Sequence, residues 1–366
     1  MIKKLKNVFI SSIYQNAGKT TVSLGLYKLF QEKGLKPAFI KPVGQQTVKV
    51  NDEDIDKDTY LIGEVYHCRH RLKDMSPVTI GPGFTEKYVF QPSSDKLQQK
   101  IIDSFKNLTK GKKSIIIEGT GHAGVGSVID LSNADVASML GSKVIIVSGG
   151  GIGRSIDEII LNKALFDLKK VEVLGVILNK VHMDKYEKVK RAVEQGLKNK
   201  GIRLLGAIPI NPLLSAPTIG QIINLLNLEL LSGQISLNRR VKHTIIASME
   251  PYNMINYLQE STLVLTSGDR VDNIMVAVSS HMLMQGKRNH VSGIILTGGL
   301  VPTTKIIELL KKSKIPILLA KEDTYTVAGK VEHLICKIQK TDKDKILEAR
   351  QLVKNYVDVD TIIANL

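Results

Sequence analysis

The 366-residue chain predicts an α/β protein, a doubly wound and mostly parallel sheet followed by a second, smaller α/β unit. Short apolar runs alternate with segments of helical period through the first half of the chain and beyond. The runs are continuously apolar, the pattern of strands buried on both faces of a parallel sheet. After Asn211-Pro212 and Ala216-Pro217 the alternation starts afresh at Lys242, which marks a second unit.

The elements follow in order. Val8–Ile10 is the first strand, and Val22, Leu24, Leu26, Leu29 and Phe30 give the following segment a helical period. Pro37–Ile40, Ser114–Ile117, Lys143–Val147 and Leu174–Leu178 are further strands, each bounded by Gly, Pro or charged residues, and Gly206-Ala207-Ile208-Pro209 closes the set. These make a domain over residues 1–215. Residues 216–240 read as a connector whose leucine-rich helix, Ile219–Leu231, docks on something apolar. Residues 241–366 read as a domain of four strands, Thr244–Ala247, Leu263–Leu265, Gly293–Leu296 and Ile315–Leu319, with helices at Asp272–His281, Thr303–Lys312 and Thr324–Ile335. A charged C-terminal helix, Lys345–Tyr356, is grouped with this second domain, although its pattern suits packing on either one.

Composition excludes several classes. A hydrophobic content of 43% supports full cores. No apolar run is long enough to span a membrane. Met1-Ile2-Lys3-Lys4 runs straight into a strand, so no signal peptide is expected. Cys68 and Cys336 form no metal-spaced cluster and fit a reducing cytoplasm. The net charge of +16 raises nucleic-acid binding, but the basic residues are scattered, aromatics are 5% and tryptophan is absent. A base-stacking platform is therefore poorly supplied, and the charge is read as a solubilising surface.

Residues 12–21, Ser-Ile-Tyr-Gln-Asn-Ala-Gly-Lys-Thr-Thr, join the first strand to the first helix. A helix starting at Gly18-Lys19-Thr20 offers free N–H groups and a positive dipole end to an anion. Asn16, Ala17, Gly18 and Thr21 supply backbone to this cradle, Lys19 a charge for terminal phosphates, and Thr20 a hydroxyl suited to Mg²⁺. The usual spacing places a glycine at Ile13; here Ser12 is the turn residue instead. Lys41, at a strand end before Pro42, can neutralise charge on a phosphoryl group. Asp52, Asp54, Asp56 and Asp58 crowd one acidic segment, read either as a solvated loop or as a source of one Mg²⁺ carboxylate. Glu118 ends a buried strand, placed for Mg²⁺ or for orienting a nucleophile, and Gly119 and Gly121 follow in a loop open to an anion. Gly151 and Gly153 form a second such loop before a helix. Asn179 offers an amide to the edge of a base.

Taken together, Gly18-Lys19-Thr20, Lys41-Pro42-Val43, Glu118-Gly119-Thr120-Gly121 and Asn179 resemble dethiobiotin synthetase and its relatives, and cobyrinic acid diamide synthetases share parts of the pattern. Gly268-Asp269-Arg270 and Thr297-Gly298-Gly299 resemble the signatures of the DRTGG domain. The pairing is similar to the N-terminal, non-catalytic region of long bacterial phosphate acetyltransferases. The resemblance implies ATP and Mg²⁺, with Lys19 and Lys41 at the phosphates and Thr20, Asp58 and Glu118 around the metal, Asp56 being the rival of Asp58. It also implies a second ligand near Asp269, Arg270, Thr297, Gly298 and Gly299, although structural capping by Asp269 and pairing with Arg270 are equally open. Because the chain stops at Leu366, acetyl transfer by this chain alone is not expected. One reading is a cytoplasmic nucleotide-binding regulator, acting beside a separate acetyltransferase or as a homodimer. The other is an ATP-dependent ligase that activates a carboxylate or carbamate. Nucleic-acid binding rests on charge alone.

Overall fold

The computed structural model describes residues 5–283 and 291–366, so Met1–Lys4 lie outside the described residues. The chain divides into two compact units, one of Met1–Asn211 with Ile338–Leu366 and the other of Pro212–Lys337.

In the first unit the main elements are β1 (Lys6–Ser12), α1 (Lys19–Glu32), β2 (Pro37–Ile40), α2 (Lys57–Val65), α3 (Ser94–Thr109), β3 (Ser114–Glu118), α4 (Asn133–Met139), β4 (Lys143–Gly149), α5 (Gly153–Leu168), β5 (Val173–Val181), α6 (Tyr186–Lys198) and β6 (Leu204–Pro209). The six strands form one parallel sheet in the order β6-β5-β4-β1-β3-β2. β1 lies centrally, with Ile10 opposite Glu118 on one side and Ser12 opposite Val147 on the other. The loops after β1, β3 and β4 therefore leave from adjacent strand ends. This sheet is buried on both faces, as its continuous apolar runs require: Val8–Ile10, Ile115–Ile117 and Val144–Val147 have no exposed surface.

The acidic segment is more ordered than a solvated loop. Thr47–Val50 and Glu53–Asp56 form an antiparallel hairpin, with Asn51 and Asp52 at its turn in the left-handed region. Asp56 then caps α2, its side chain accepting from the Asp58 amide at 2.8 Å. The crowding of acidic residues from Asp52 to Asp58 concealed this strand pair in the sequence.

The last segment differs from its expected grouping. α11 (Lys343–Tyr356) and α12 (Val359–Asn365) belong to the first unit, and α11 packs on α1. The contact is close because α1 carries Gly25 there: a Cβ at that position would lie 2.3–2.8 Å from Val353. Ile346, Ala349, Leu352 and Val353 are buried in this seat, each large aliphatic contributing about 1.5–3 kcal/mol relative to exposure. Arg350 lies over Tyr66 at 4.9 Å, and Tyr66 stacks on Tyr27 of α1 at 4.1 Å.

The second unit holds α7 (Ile219–Leu226), β7 (Glu229–Ser232), β8 (His243–Ile246), β9 (Thr262–Ser267), α8 (Val271–Leu283), β10 (Val291–Thr297), α9 (Thr304–Lys312), β11 (Ile317–Leu319) and α10 (Thr324–Glu332). Its sheet has five strands rather than four, in the order β7-β11-β10-β9-β8, with β7 antiparallel to β11. The segment expected to be a connector is part of this unit. Asn227 takes a left-handed φ of 53° and ends the helix early, so Glu229–Ser232 pairs as an edge strand. Ile219 and Ile222 of α7 and Val327 and Val331 of α10 cover one face of the sheet. Met254, Ile274, Val278 and Leu310 cover the other.

Candidate functional site

The loop between β1 and α1 refuses to wind into the helix. Asn16 at φ 61° and Gly18 at φ 106° are both left-handed, and the first helical bond runs from the Val22 amide to the Gly18 carbonyl at 3.1 Å. The amides of Gln15, Asn16, Ala17, Gly18, Thr20 and Thr21 are engaged by no acceptor among the described residues. Gly18 has no alternative, since a Cβ there would lie 1.9 Å from Asn179 Nδ2. The Lys19 ammonium donates to Ser12 Oγ at 2.9 Å, and Ser12 Oγ lies 2.7 Å from the Tyr14 carbonyl and 3.0 Å from that of Gly121. Ser12 thus takes up the lysine where the expected glycine is missing.

Beside this loop, Thr20 Oγ1 donates to Glu118 Oε1 at 3.0 Å. Glu118 is buried, and its Oε2 has no hydrogen-bond partner among the described residues. Burial is the main reason its carboxyl is pushed above the usual range, and Asp58 pushes it further, while Lys41 and Lys19 pull it down. Lys41 is also buried. Its ammonium pairs closely with Asp58, reaches Asp56 Oδ1 at 3.1 Å and lies 3.9 Å from Glu118 Oε1. Burial alone would lower its pKa, but the three carboxylates outweigh that and raise it. Asp52 and Asp54 are exposed and take no part.

The expected residues are therefore gathered, with a difference. Lys19, Thr20 and Glu118 converge at the loop. Asp56 and Asp58 meet Lys41 together, so the cation already among these carboxylates is the lysine. Among the described residues no group of three or more His, Cys, Asp or Glu is arranged to hold a metal ion. The donors that fit Mg²⁺ are the Thr20 hydroxyl and the Glu118 carboxylate, whose unpartnered buried oxygen calls for a positive group.

The glycine loops prove more tightly built than open. The Gly119 amide is taken by the Ile10 carbonyl, and a Cβ there would lie 2.6 Å from Asn133 Oδ1. Asn133 accepts from the Thr120 amide at 3.1 Å and donates to the carbonyls of Thr120 and His122; Asn162 accepts from the Ala123 amide at 2.7 Å. Nothing in the sequence singles out these two asparagines: Asn133 opens α4, and Asn162 lies inside α5 beside Lys163. Gly121 takes φ 68° and its carbonyl accepts from the Ser12 amide. Gly151 and Gly153 flank the start of α5, where Ser155 Oγ closes the loop on the Gly149 carbonyl at 2.9 Å. Asn179 spends its amide on the loop itself, donating to the Ala17 carbonyl at 2.8 Å and accepting from the Lys180 amide at 2.9 Å.

In the second unit the signature residues support the fold. Arg270 pairs with Asp272, at 3.0 and 2.9 Å, rather than with Asp269, and donates to the carbonyls of Ser248 and Met249 at 3.3 Å. The Gly298 and Gly299 amides go to Glu322 and Ala320 carbonyls at 2.7 and 2.9 Å. Thr297 Oγ1 meets Thr324 Oγ1 at 2.6 Å. No helix among the described residues is long and apolar enough to cross a membrane.

Comparison with known proteins agrees with this division. The AAA domain family matches residues 6–218, and the DRTGG domain matches residues 221–334. A phosphate acetyltransferase of Pseudomonas putida is 28% identical over 97% of this chain and 51% of its own length. One from Synechocystis is 24% identical over 98% of this chain and 51% of its own. The chain thus spans about half the length of the curated relatives it matches. A plasmid partition protein of Borrelia burgdorferi, solved with AMPPNP, is 15% identical with a TM-score of 0.39, covering 57% of this chain and 88% of that one, a likeness too loose to argue from. The chain belongs to the AAA domain family and matches the DRTGG domain over residues 221–334.

Proposed function

We propose that the first unit binds ATP with Mg²⁺ and that the protein acts as a nucleotide-dependent regulator. The observation that carries the reading is the run of unengaged amides from Gln15 to Gly18 and at Thr20 and Thr21, bent by two left-handed residues around the start of α1. Such a cradle matches the phosphates of a nucleotide, and Lys19 adds charge beside it. Thr20 and Glu118 are the residues that would hold Mg²⁺, which would neutralise phosphate charge when bound.

Regulation is favoured over phosphoryl transfer by the state of Lys41. A lysine serving a transferring phosphoryl group needs charge to spare, and Lys41 is committed to Asp58, Asp56 and Glu118. The phosphate acetyltransferase relatives, half of whose length the chain spans, suggest an acetyltransferase as the class of regulated partner.

The experiment is calorimetric titration of ATP with Mg²⁺, followed by a phosphate-release assay against a panel of small carboxylates and amines. The proposal expects binding, abolished by Lys19→Ala, without stimulated turnover. Turnover stimulated by one panel member replaces the regulator with a ligase.

A further inference from the structure

In an α-helix each amide pairs with the carbonyl four residues back. For α1 to extend by two residues at its start, the Thr20 amide would take the Asn16 carbonyl and the Thr21 amide the Ala17 carbonyl. Neither bond forms, and both carbonyls are occupied. Lys180 Nζ donates to the Asn16 carbonyl at 2.9 Å, and Asn179 Nδ2 donates to the Ala17 carbonyl at 2.8 Å. The two donors are consecutive residues at the end of β5.

Lys180 is shaped for this. It adopts a left-handed φ of 58°, unfavourable for a residue with a Cβ, at a strand end where β5 and β6 shift register. The loop after β4 fits against its backbone: a Cβ on Gly150 would lie 2.6 Å from the Lys180 carbonyl. Its ammonium pairs with no carboxylate among the described residues and goes to a loop carbonyl instead.

We infer that Lys180 is a positioning residue which, together with Asn179, keeps the phosphate-binding loop open by capturing the two carbonyl oxygens that would otherwise let it wind into α1. The amides of Thr20 and Thr21 thereby stay available to an anionic ligand. For its ligand, this inference rests on the nucleotide reading above; the conformational claim stands without it.

The test uses amide hydrogen exchange at Thr20 and Thr21 in the nucleotide-free protein, with calorimetric titration of ATP and of adenosine in the presence of Mg²⁺. The variants are Lys180→Met, Lys180→Gln, which is too short to reach Asn16, and Lys180→Arg. In the wild type and in Lys180→Arg the two amides exchange freely. In Lys180→Met and Lys180→Gln they become protected, and ATP affinity falls about tenfold, as expected for losing one charge-assisted hydrogen bond, while adenosine affinity is unchanged. Exchange in Lys180→Met and Lys180→Gln at the wild-type rate overturns the inference, and so does an equal loss for ATP and adenosine, which marks a general structural defect. Absence of ATP binding in the wild type sinks the nucleotide reading instead, and the exchange result still decides the role of Lys180.

Discussion

Gly18→Ala meets two costs that the structure separates. The first is backbone strain, since an L-residue at φ 106° lies in the left-handed region and loses about 1–2 kcal/mol. The second is the Cβ, which would lie 1.9 Å from Asn179 Nδ2. The Asn179 side chain must turn away, giving up its bonds to the Ala17 carbonyl and the Lys180 amide, each worth about 1 kcal/mol net. The sum is about 3–4 kcal/mol, and at about 2–4 °C per kcal/mol for a unit of this size the thermal midpoint falls by roughly 6–16 °C. Asn179→Ala removes the clashing atoms and leaves only a Cβ at 4.0 Å, an ordinary contact. In that background Gly18→Ala costs only the strain, about 1–2 kcal/mol, so the two substitutions couple by about 2 kcal/mol in a double-mutant cycle read by urea denaturation. Coupling within error of zero refutes the claim that Asn179 is seated against the loop at Gly18.

Glu118→Gln tests the buried carboxyl. A folded pKa above the unfolded one means that the stabilising contribution is present below the unfolded value of about 4.3 and lost as pH rises through the folded value. Stability of the nucleotide-free protein should therefore decline as pH rises out of the ordinary carboxylate range; Glu118→Gln flattens that decline in urea titrations across pH, and it removes the Mg²⁺-dependent part of ATP binding. Gly25→Ala would ordinarily stabilise a helix by about 1 kcal/mol, but overpacking against Val353 costs about 1–3 kcal/mol, so the thermal midpoint should fall; a rise means α11 does not sit on α1 as described. Arg270→Ala removes donors to the carbonyls of Ser248 and Met249, the latter still held by Asn273 Nδ2, and should make the second unit easier to cut in limited proteolysis, with ATP affinity unchanged.

The sequence discloses parts of this structure for identifiable reasons. Strands β1 to β6 were readable because sheets buried on both faces demand unbroken apolar runs, and Ile115–Ile117 or Val144–Val147 suit little else. The order of β1, the glycine-bearing loop and α1 was readable because an apolar run, a glycine and a helical period follow one another there. The hairpin ending at Asp56 was not, because its second strand, Glu53-Asp54-Ile55-Asp56, carries a run of carboxylates that reads as a solvated loop. β7 was not, because Leu228, Leu230 and Leu231 continue a leucine-rich helix until Asn227 is known to turn left-handed. The seat of α11 on α1 depends on Gly25 meeting Val353 across the length of the chain, a pairing with no local trace. The commitment of Lys41 to Asp56 and Asp58, and of Lys180 to Asn16, likewise exists only once distant side chains are brought together.

The central claim is that a nucleoside triphosphate occupies the cradle ahead of α1. Titrating ATP and Mg²⁺ into the folded wild-type protein and into Lys19→Ala, by calorimetry, tests it most directly. The account predicts saturable binding to the wild type that depends on Mg²⁺ and disappears in Lys19→Ala. Absence of heat with the wild type, or equal binding to both proteins, contradicts it.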